Sequence, residues 1–123
     1  MTIYISGPIT GLPDRNKKEF QKAEKQIKAF PKSVILNEKL KVINPVKLGY
    51  KLDMGFSIFN KEPAWEDYMK VCIKELCKAD CVFLLEGWGN SEGAVMEKYI
   101  AERLKIPCVE NMKELSKIVM KRS

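Results

Sequence analysis

Apolar and polar positions along the chain form two kinds of segment. Short runs of β-branched and aromatic residues bounded by glycine or proline predict strands. Longer segments with apolar residues three or four positions apart predict amphipathic helices. In chain order, the pattern predicts strand 2–6, helix 15–29, strand 40–44, helix 64–79, strand 81–85, helix 91–104, strand 106–109 and helix 111–121. This alternation predicts an α/β fold with a mostly parallel sheet.

The stretch 46–63 fits neither pattern. It contains two glycines, several aromatic residues and a closing proline. We therefore expect an irregular segment here, and a loop of this length in a compact domain is often functional. A flexible excursion or a contact between subunits is an equally good interpretation.

Composition narrows the class of protein. A length of 123 residues predicts one domain spanning 1–123, and 46% hydrophobic with 31% charged residues is typical of a soluble globular chain. The net charge of +6 suits an anionic small ligand or a nucleic acid. Because the lysines are spread along the helices without interleaved aromatic residues, binding to nucleic acid is the least favoured function.

The chain contains no histidine. This absence excludes Ser-His-Asp and Cys-His catalysis built from this chain, and it removes the usual zinc ligand, so we expect no metal and no cofactor. The four cysteines form no C-x-x-C pair, which predicts buried free thiols in the reducing cytoplasm. No run of roughly 18 apolar residues is present, so no membrane-spanning helix is expected.

Two glycine-containing loops lie where a parallel sheet binds ligands, beyond the carboxyl ends of its strands. The first is SGPITG at residues 6–11, and the second is EGWGNSEG at residues 86–93, which leads into a helix. Ser91 is a typical N-cap residue, and the free amide groups at the start of that helix would attract an anion such as phosphate. Glycines that only allow a helix and a strand to pack would give the same pattern.

Glu97 interrupts the apolar stripe of the predicted helix 91–104. The stripe consists of Ala94, Ile100, Ala101 and Leu104. An unpaired buried carboxylate costs several kcal/mol or becomes neutral, so Glu97 is either hydrogen-bonded internally or directed into a pocket. A glutamate nucleophile in a chain without histidine favours glycosyl transfer through a covalent glycosyl-enzyme. Tyr4 on the first strand could orient this carboxylate, although it could equally be an ordinary strand residue.

Several motifs together resemble one known superfamily. They are Tyr4-Ile5-Ser6-Gly7-Pro8, Asn44-Pro45, Ala79-Asp80 and Trp88-x-x-Ser91-x-Gly93-Ala94-x-x-Glu97. Across residues 2–109 the chain resembles the nucleoside 2-deoxyribosyltransferase superfamily, and most closely its branch of small uncharacterised bacterial and phage proteins. The resemblance implies a flavodoxin-like, three-layer α/β/α fold with a parallel sheet of four or five strands. It also implies cleavage or transfer of the N-glycosidic bond of 2′-deoxynucleosides or deoxynucleoside monophosphates.

The resemblance also implies roles for individual residues. Glu97 aligns with the family nucleophile, Tyr4 with the tyrosine that hydrogen-bonds it, and Ser91 with a serine that holds the 5′-phosphate in the nucleotide hydrolases. The expected substrate-binding residues are Gly7, Pro8, Thr10, Trp88, Ser91 and Gly93, with Trp88 stacking on the base. Family members are commonly dimers or larger, so we expect a homo-oligomer in which a neighbouring chain closes the pocket.

Two departures from the family pattern leave alternatives open. Cys72 stands where family members usually carry an aspartate that assists the sugar or the leaving base. Pro8 and Thr10 stand where the nucleotide hydrolases use Ser and Arg to hold phosphate, so the pattern does not decide between nucleoside and nucleotide. Because of Cys72, the alternative function is a binding module of the same fold that holds a nucleotide without turnover.

Overall fold

The computed structural model describes residues 1–30 and 40–122. Its sheet contains four parallel strands in the order β2-β1-β3-β4, with no other strand among the described residues. The strands are β1 (Thr2–Ser6), β2 (Lys41–Ile43), β3 (Cys81–Leu84) and β4 (Cys108–Val109). The helices are α1 (Lys17–Lys28), α2 (Pro45–Ser57), α3 (Trp65–Leu76), α4 (Glu92–Arg103) and α5 (Met112–Arg122). This strand order is that of flavodoxin-like folds, and the predicted three-layer α/β/α architecture is confirmed.

The two faces of the sheet carry different helices because successive strand residues point to opposite sides. Ile3 and Ile5 of β1 face a core cluster that contains residues of α1 and α5. Tyr4 belongs to the opposite cluster, with residues of α3 and α4. All four residues of β3 are buried, as its continuous apolar run predicts for a strand covered on both sides.

The prediction of an irregular segment over 46–63 is wrong for residues 46–57, because residues 45–57 form α2, and it holds for residues 58–63. The Asn44 side chain accepts a hydrogen bond of 3.0 Å from the amide of Val46, and Pro45 occupies the first turn, where proline is tolerated. Gly49 lies within the helix, facing Arg15 and Tyr68. Because Gly49 has no side chain, Arg15 and Tyr68 can lie close to α2 at this position. This packing explains why a glycine, which otherwise suggests a loop, lies within a helix.

The first predicted helix begins later than expected. Pro13–Asn16 forms a short 3-10 turn, in which Asp14, Arg15 and Asn16 have φ angles of 50°, 56° and 59°. These left-handed conformations cost non-glycine residues roughly 1–2 kcal/mol each. Asn16 donates a hydrogen bond of 3.0 Å to the carbonyl of Pro8, which ties the turn to the loop after β1. Helix α1 therefore starts at Lys17.

The remaining predicted elements are present, and β2, α3, β3, α4 and β4 are shorter than predicted. The cysteines are free, as predicted, but only Cys72 and Cys81 are buried, whereas Cys108 is half-buried and Cys77 is exposed. Within the described ranges, no helix is long and apolar enough to cross a membrane.

Replacing Asn44 with Ala is expected to lower the free energy of unfolding by about 2 kcal/mol, because the change removes a cap and a partner of a buried carboxylate. Asn44 is buried, and its Nδ2 donates to Glu24 Oε1 at 3.1 Å. Chemical denaturation measures the effect. The exposed Asn111, which accepts from the amide of Glu114, provides the control, and its change to Ala should cost less. Equal losses from the two variants would contradict the prediction.

Candidate active site

A cavity of about 270 Å³ lies between the loop after β1, helices α2 and α3, and the start of α4. This position lies at the carboxyl end of β1, where open parallel sheets bind ligands. The volume is slightly below the usual range for small-molecule sites, which is about 300–1,000 Å³. The cavity brings together Tyr4, Gly7, Thr10, Ser91, Gly93 and Glu97 of the residues predicted from the sequence.

Glu97 lies in the cavity wall, and only 5% of it is exposed. The hydroxyl of Tyr4 donates to its Oε2, and Ser6 Oγ donates to its Oε1 at 2.8 Å. Tyr4 and Ser6 are two positions apart on β1 and therefore point to the same face of the sheet, toward α4. Both oxygens of the carboxyl group are thus held in a fixed orientation.

The surroundings of Glu97 bring its pKa close to neutrality. Burial raises the pKa of Glu97 to about 7, while the hydrogen bonds from Tyr4 and Ser6 oppose this rise by favouring the charged form. The pKa of Tyr4 is raised well above its usual value by burial and by the charge of Glu97, so its hydroxyl remains a neutral donor. Near neutral pH the Glu97 carboxyl group therefore ionises within the cavity wall, while the Tyr4 hydroxyl stays neutral.

Cys72 lines the cavity on α3 and is 8% exposed. Burial and the nearby charge of Glu97 raise the pKa of its thiol to about 11, so it is neutral at physiological pH and is not an activated nucleophile. Asp67 on the same helix does not stand in for the aspartate that the resemblance leads us to expect at position 72. Its Oδ2 accepts a hydrogen bond of 2.8 Å from the amide of Ala64 and caps the start of α3.

Ser91 caps α4, as its sequence position predicts, and it lines the cavity. Its Oγ accepts a hydrogen bond of 3.3 Å from the amide of Ala94. A serine hydroxyl that accepts in this way can still donate its own hydrogen. Ser91 can therefore anchor an acceptor on a ligand while it caps the helix.

Two glycines of the cavity wall permit close packing. A Cβ built on Gly7 would lie 2.8 Å from Leu85 Cβ, and one on Gly93 would lie 3.1 Å from Met69 Sδ. Real Cβ contacts are essentially never shorter than 3.0 Å, so a larger residue at Gly7 would displace β1 from the chain that follows β3.

Pro8 and Trp88 are not among the described residues that line the cavity. The indole Nε1 of Trp88 donates to Glu110 Oε1 at 2.7 Å, and Lys98 Nζ lies 5.2 Å from the ring centroid. The carbonyl of Pro8 accepts from Asn16. Contacts with Glu110 and Lys98 therefore hold the Trp88 ring. The resemblance instead leads us to expect this ring to stack on a base.

The cavity also contains residues that the sequence analysis did not assign to the site. They are chiefly Arg15, Trp65, Tyr68 and Met69. Ser6 was not assigned either, and it acts on the cavity through its hydrogen bond to Glu97. The position of Ser6 beside the site could have been predicted from the sequence, because the alternation of side chains along a strand places Ser6 on the same face as Tyr4. The apolar stripe of α3 contains Trp65, Met69 and Cys72. An apolar stripe alone does not distinguish residues of the core from residues that line a cavity.

Arg15 joins the loop after β1 to α2 and α3. Its Nη2 forms an ion pair of 2.6 Å with Asp53 Oδ2 and donates to the Tyr68 hydroxyl at 3.4 Å. The Tyr68 hydroxyl in turn donates to Asp53 Oδ1. The guanidinium carbon lies 5.0 Å from the centroid of the Tyr50 ring and 5.4 Å from that of Tyr68. These contacts hold Arg15 at the cavity wall.

The acidic and thiol groups of the described ranges include no cluster of three or more that could hold a metal ion. The polar groups of the described cavity wall are a buried carboxyl group, neutral hydroxyl donors, one thiol and one guanidinium.

Comparison with known proteins gives one match. No curated protein and no solved structure matches the chain. A family model described as "Domain of unknown function (DUF4406)" matches residues 1–110, which include every cavity residue named above. The chain therefore belongs to the DUF4406 family.

Proposed function

We propose that this protein cleaves or transfers the N-glycosidic bond of 2′-deoxynucleosides or deoxynucleoside monophosphates, with Glu97 as nucleophile. The observation that carries the proposal is the Glu97 carboxyl group, buried in a cavity wall with both oxygens held by hydroxyls of β1. A carboxylate fixed in this way is arranged to attack a carbon placed in the cavity.

The proposed reaction has two steps. A Glu97 oxygen forms a bond to C1′ of the sugar as the bond from C1′ to the base nitrogen breaks, and the base leaves with the bonding electron pair and takes up a proton. Water or the N–H nitrogen of a second base then attacks C1′ and releases its proton to solvent, and the Glu97 carboxylate leaves as its bond to C1′ breaks. Tyr4 and Ser6 orient the carboxylate in both steps, and Ser91 with the amides at the start of α4 anchors a polar group of the substrate.

The proposal agrees with the resemblance to nucleoside 2-deoxyribosyltransferases. Tyr4 is far in the sequence from Ser91 and Glu97, yet all three line one cavity. We also propose a cytoplasmic homo-oligomer. The free cysteines suit a reducing compartment, and the exposed apolar side chains of Met54, Ile58 and Phe59 suit a contact with a second copy.

Cys72 favours a second candidate function, a binding module without turnover. Its neutral thiol lines the cavity near Glu97 where superfamily members usually have an aspartate. A thiol is a poorer partner than a carboxylate for the sugar hydroxyl or the leaving base, so a ligand could bind without reacting.

One experiment separates these functions. The purified protein is incubated with a panel of deoxynucleosides and their 5′-monophosphates, with and without a second free base, and chromatography follows free or exchanged base. The proposal predicts release or exchange for at least one substrate. Binding of a panel member without any release would favour the binding module, and salt-dependent binding only to long DNA would contradict both.

A further inference from the structure

One donor atom at the cavity wall lacks a partner. Arg15 Nη1 is enclosed and has no hydrogen-bond partner, which is true of no other enclosed side-chain nitrogen or oxygen in the described ranges. It lies beside α2, where a Cβ built on Gly49 would be 3.2 Å away. Both residues line the cavity. An enclosed donor without an acceptor is unfavourable. Because 34% of the Arg15 side chain is exposed, a small movement of the guanidinium lets this atom donate to a ligand in the cavity.

The charge around Arg15 selects the kind of acceptor. Its Nη2 is occupied by Asp53 at 2.6 Å and by the Tyr68 hydroxyl, and both Asp53 oxygens already accept hydrogen bonds or an ion pair. The positive charge is therefore balanced before a ligand binds. A phosphate dianion would meet the Asp53 carboxylate as well as the guanidinium, whereas a neutral acceptor meets a donor without that repulsion.

The shape of this end of the cavity suits a flat ring. Tyr68, which contacts Arg15, lines it, Trp65 lines the same cavity, and the planar guanidinium lies against the Tyr50 and Tyr68 rings. Aromatic and planar groups bury a heterocycle well, and a few polar atoms then set its orientation. The same end therefore combines ring surfaces with a single unpartnered donor.

We propose that the Arg15 end of the cavity holds the nucleobase and that Nη1 donates to a carbonyl oxygen of the base. Bases with a carbonyl at this edge, such as hypoxanthine, are then preferred over adenine, whose amino group is itself a donor at the matching position. The effect on bond cleavage rests on the proposed function, while base binding does not. During cleavage the same hydrogen bond stabilises the negative charge that develops on the departing base.

A matched pair of substrates tests the inference. Deoxyinosine and deoxyadenosine differ at C6, where one has a carbonyl and the other an amino group. The wild-type kcat/KM should favour deoxyinosine by about tenfold to a hundredfold, the usual effect of leaving a buried donor unpaired. Arg15→Met, which removes the donor, should bring the ratio near one. No preference in wild type, or an unchanged preference in Arg15→Met, would overturn the inference.

Arg15→Lys is the conservative control. It keeps a positive charge beside Asp53 but has one nitrogen, so it should also lose the preference. If Arg15→Lys retains it, charge rather than the Nη1 position explains base choice and the inference fails. Circular dichroism checks that the variants fold, and the wild-type ratio remains decisive if one does not. A selective loss of 5′-monophosphate turnover in Arg15→Met, with base preference intact, would assign Arg15 to phosphate and also overturn the inference.

Binding of free bases separates this inference from the proposed function. Calorimetry with hypoxanthine and adenine needs no bond cleavage. Tighter binding of hypoxanthine to wild type, lost in Arg15→Met, supports the inference even if no nucleoside is cleaved, in which case only the proposed function fails. Failure of both bases to bind would overturn the inference.

Discussion

Replacing Glu97 with Gln is expected to lower the rate of N-glycosidic cleavage by at least roughly a thousandfold, because an amide cannot form the covalent bond to the sugar carbon. Gln has the size of Glu, and its amide can still exchange hydrogen bonds with Tyr4 and Ser6. Substrate binding should therefore be largely retained. The measurement is kcat on the substrate that wild type cleaves fastest, with Kd determined in parallel by calorimetry.

Glu24→Gln is the matched control for the loss of activity. Glu24 is also a buried glutamate, but it lies on α1, bonded to Lys28, Lys47 and Asn44, and it does not line the described cavity. Its change should leave kcat within about twofold of wild type, because Glu24 touches no reacting group. Comparable losses in the two variants, or full turnover in Glu97→Gln, would contradict the assignment of Glu97 as nucleophile.

The pH dependence of wild type provides an independent check on Glu97. A nucleophilic carboxylate must be ionised, and burial raises the pKa of Glu97 to about 7. We therefore expect kcat/KM to rise with pH and to level off above neutrality. A rate that falls as pH rises through 7 would mean that Glu97 acts in its protonated form, as an acid.

The fold was largely predictable because its signals are local. β-Branched strand residues and regular apolar spacing in α1, α3 and α4 are properties of short segments. Helix α2 was missed because Gly49 and the mixed apolar pattern suggest a loop, while its packing against Arg15 and Tyr68 is a tertiary effect. The Asn44-Pro45 pair did carry a signal, since asparagine caps a helix and proline suits its first turn.

The candidate site was predictable where a residue conflicts with its local pattern. Glu97 stands out in an apolar stripe, and the resemblance connected it with Tyr4. Arg15 gave no such signal, because its place depends on the left-handed turn before α1 and on Asp53 and Tyr68, which are 38 and 53 positions further along the chain. Such a position follows from tertiary contacts that no local pattern reports.

Glu97→Gln is also expected to make the protein more stable above neutral pH. The pKa of Glu97 is about 7 in the folded protein against an ordinary value of 4.5. The folded state therefore holds this proton more tightly than the unfolded state, and wild type loses stability as pH rises from about 4.5 to beyond 7. This difference in pKa corresponds to a loss of roughly 3 kcal/mol in the free energy of unfolding. The Glu97→Gln variant does not undergo this loss, because Gln does not ionise.

Denaturant unfolding at pH 4.5 and pH 8.5 measures this effect. The two proteins should differ little at pH 4.5, whereas at pH 8.5 Glu97→Gln should be the more stable by roughly 3 kcal/mol.

Glu24→Gln should behave oppositely, since its lysine and asparagine partners lower the pKa of Glu24 to about 2 and the charged form stabilises the fold. It should be less stable than wild type at pH 8.5, with the deficit shrinking as pH falls below 4.5. A gap between Glu97→Gln and wild type that stays constant with pH would show that the folded protein does not raise the pKa of Glu97. A carboxylate that weakens the fold at the pH where it is charged is typical of a residue kept for its chemistry.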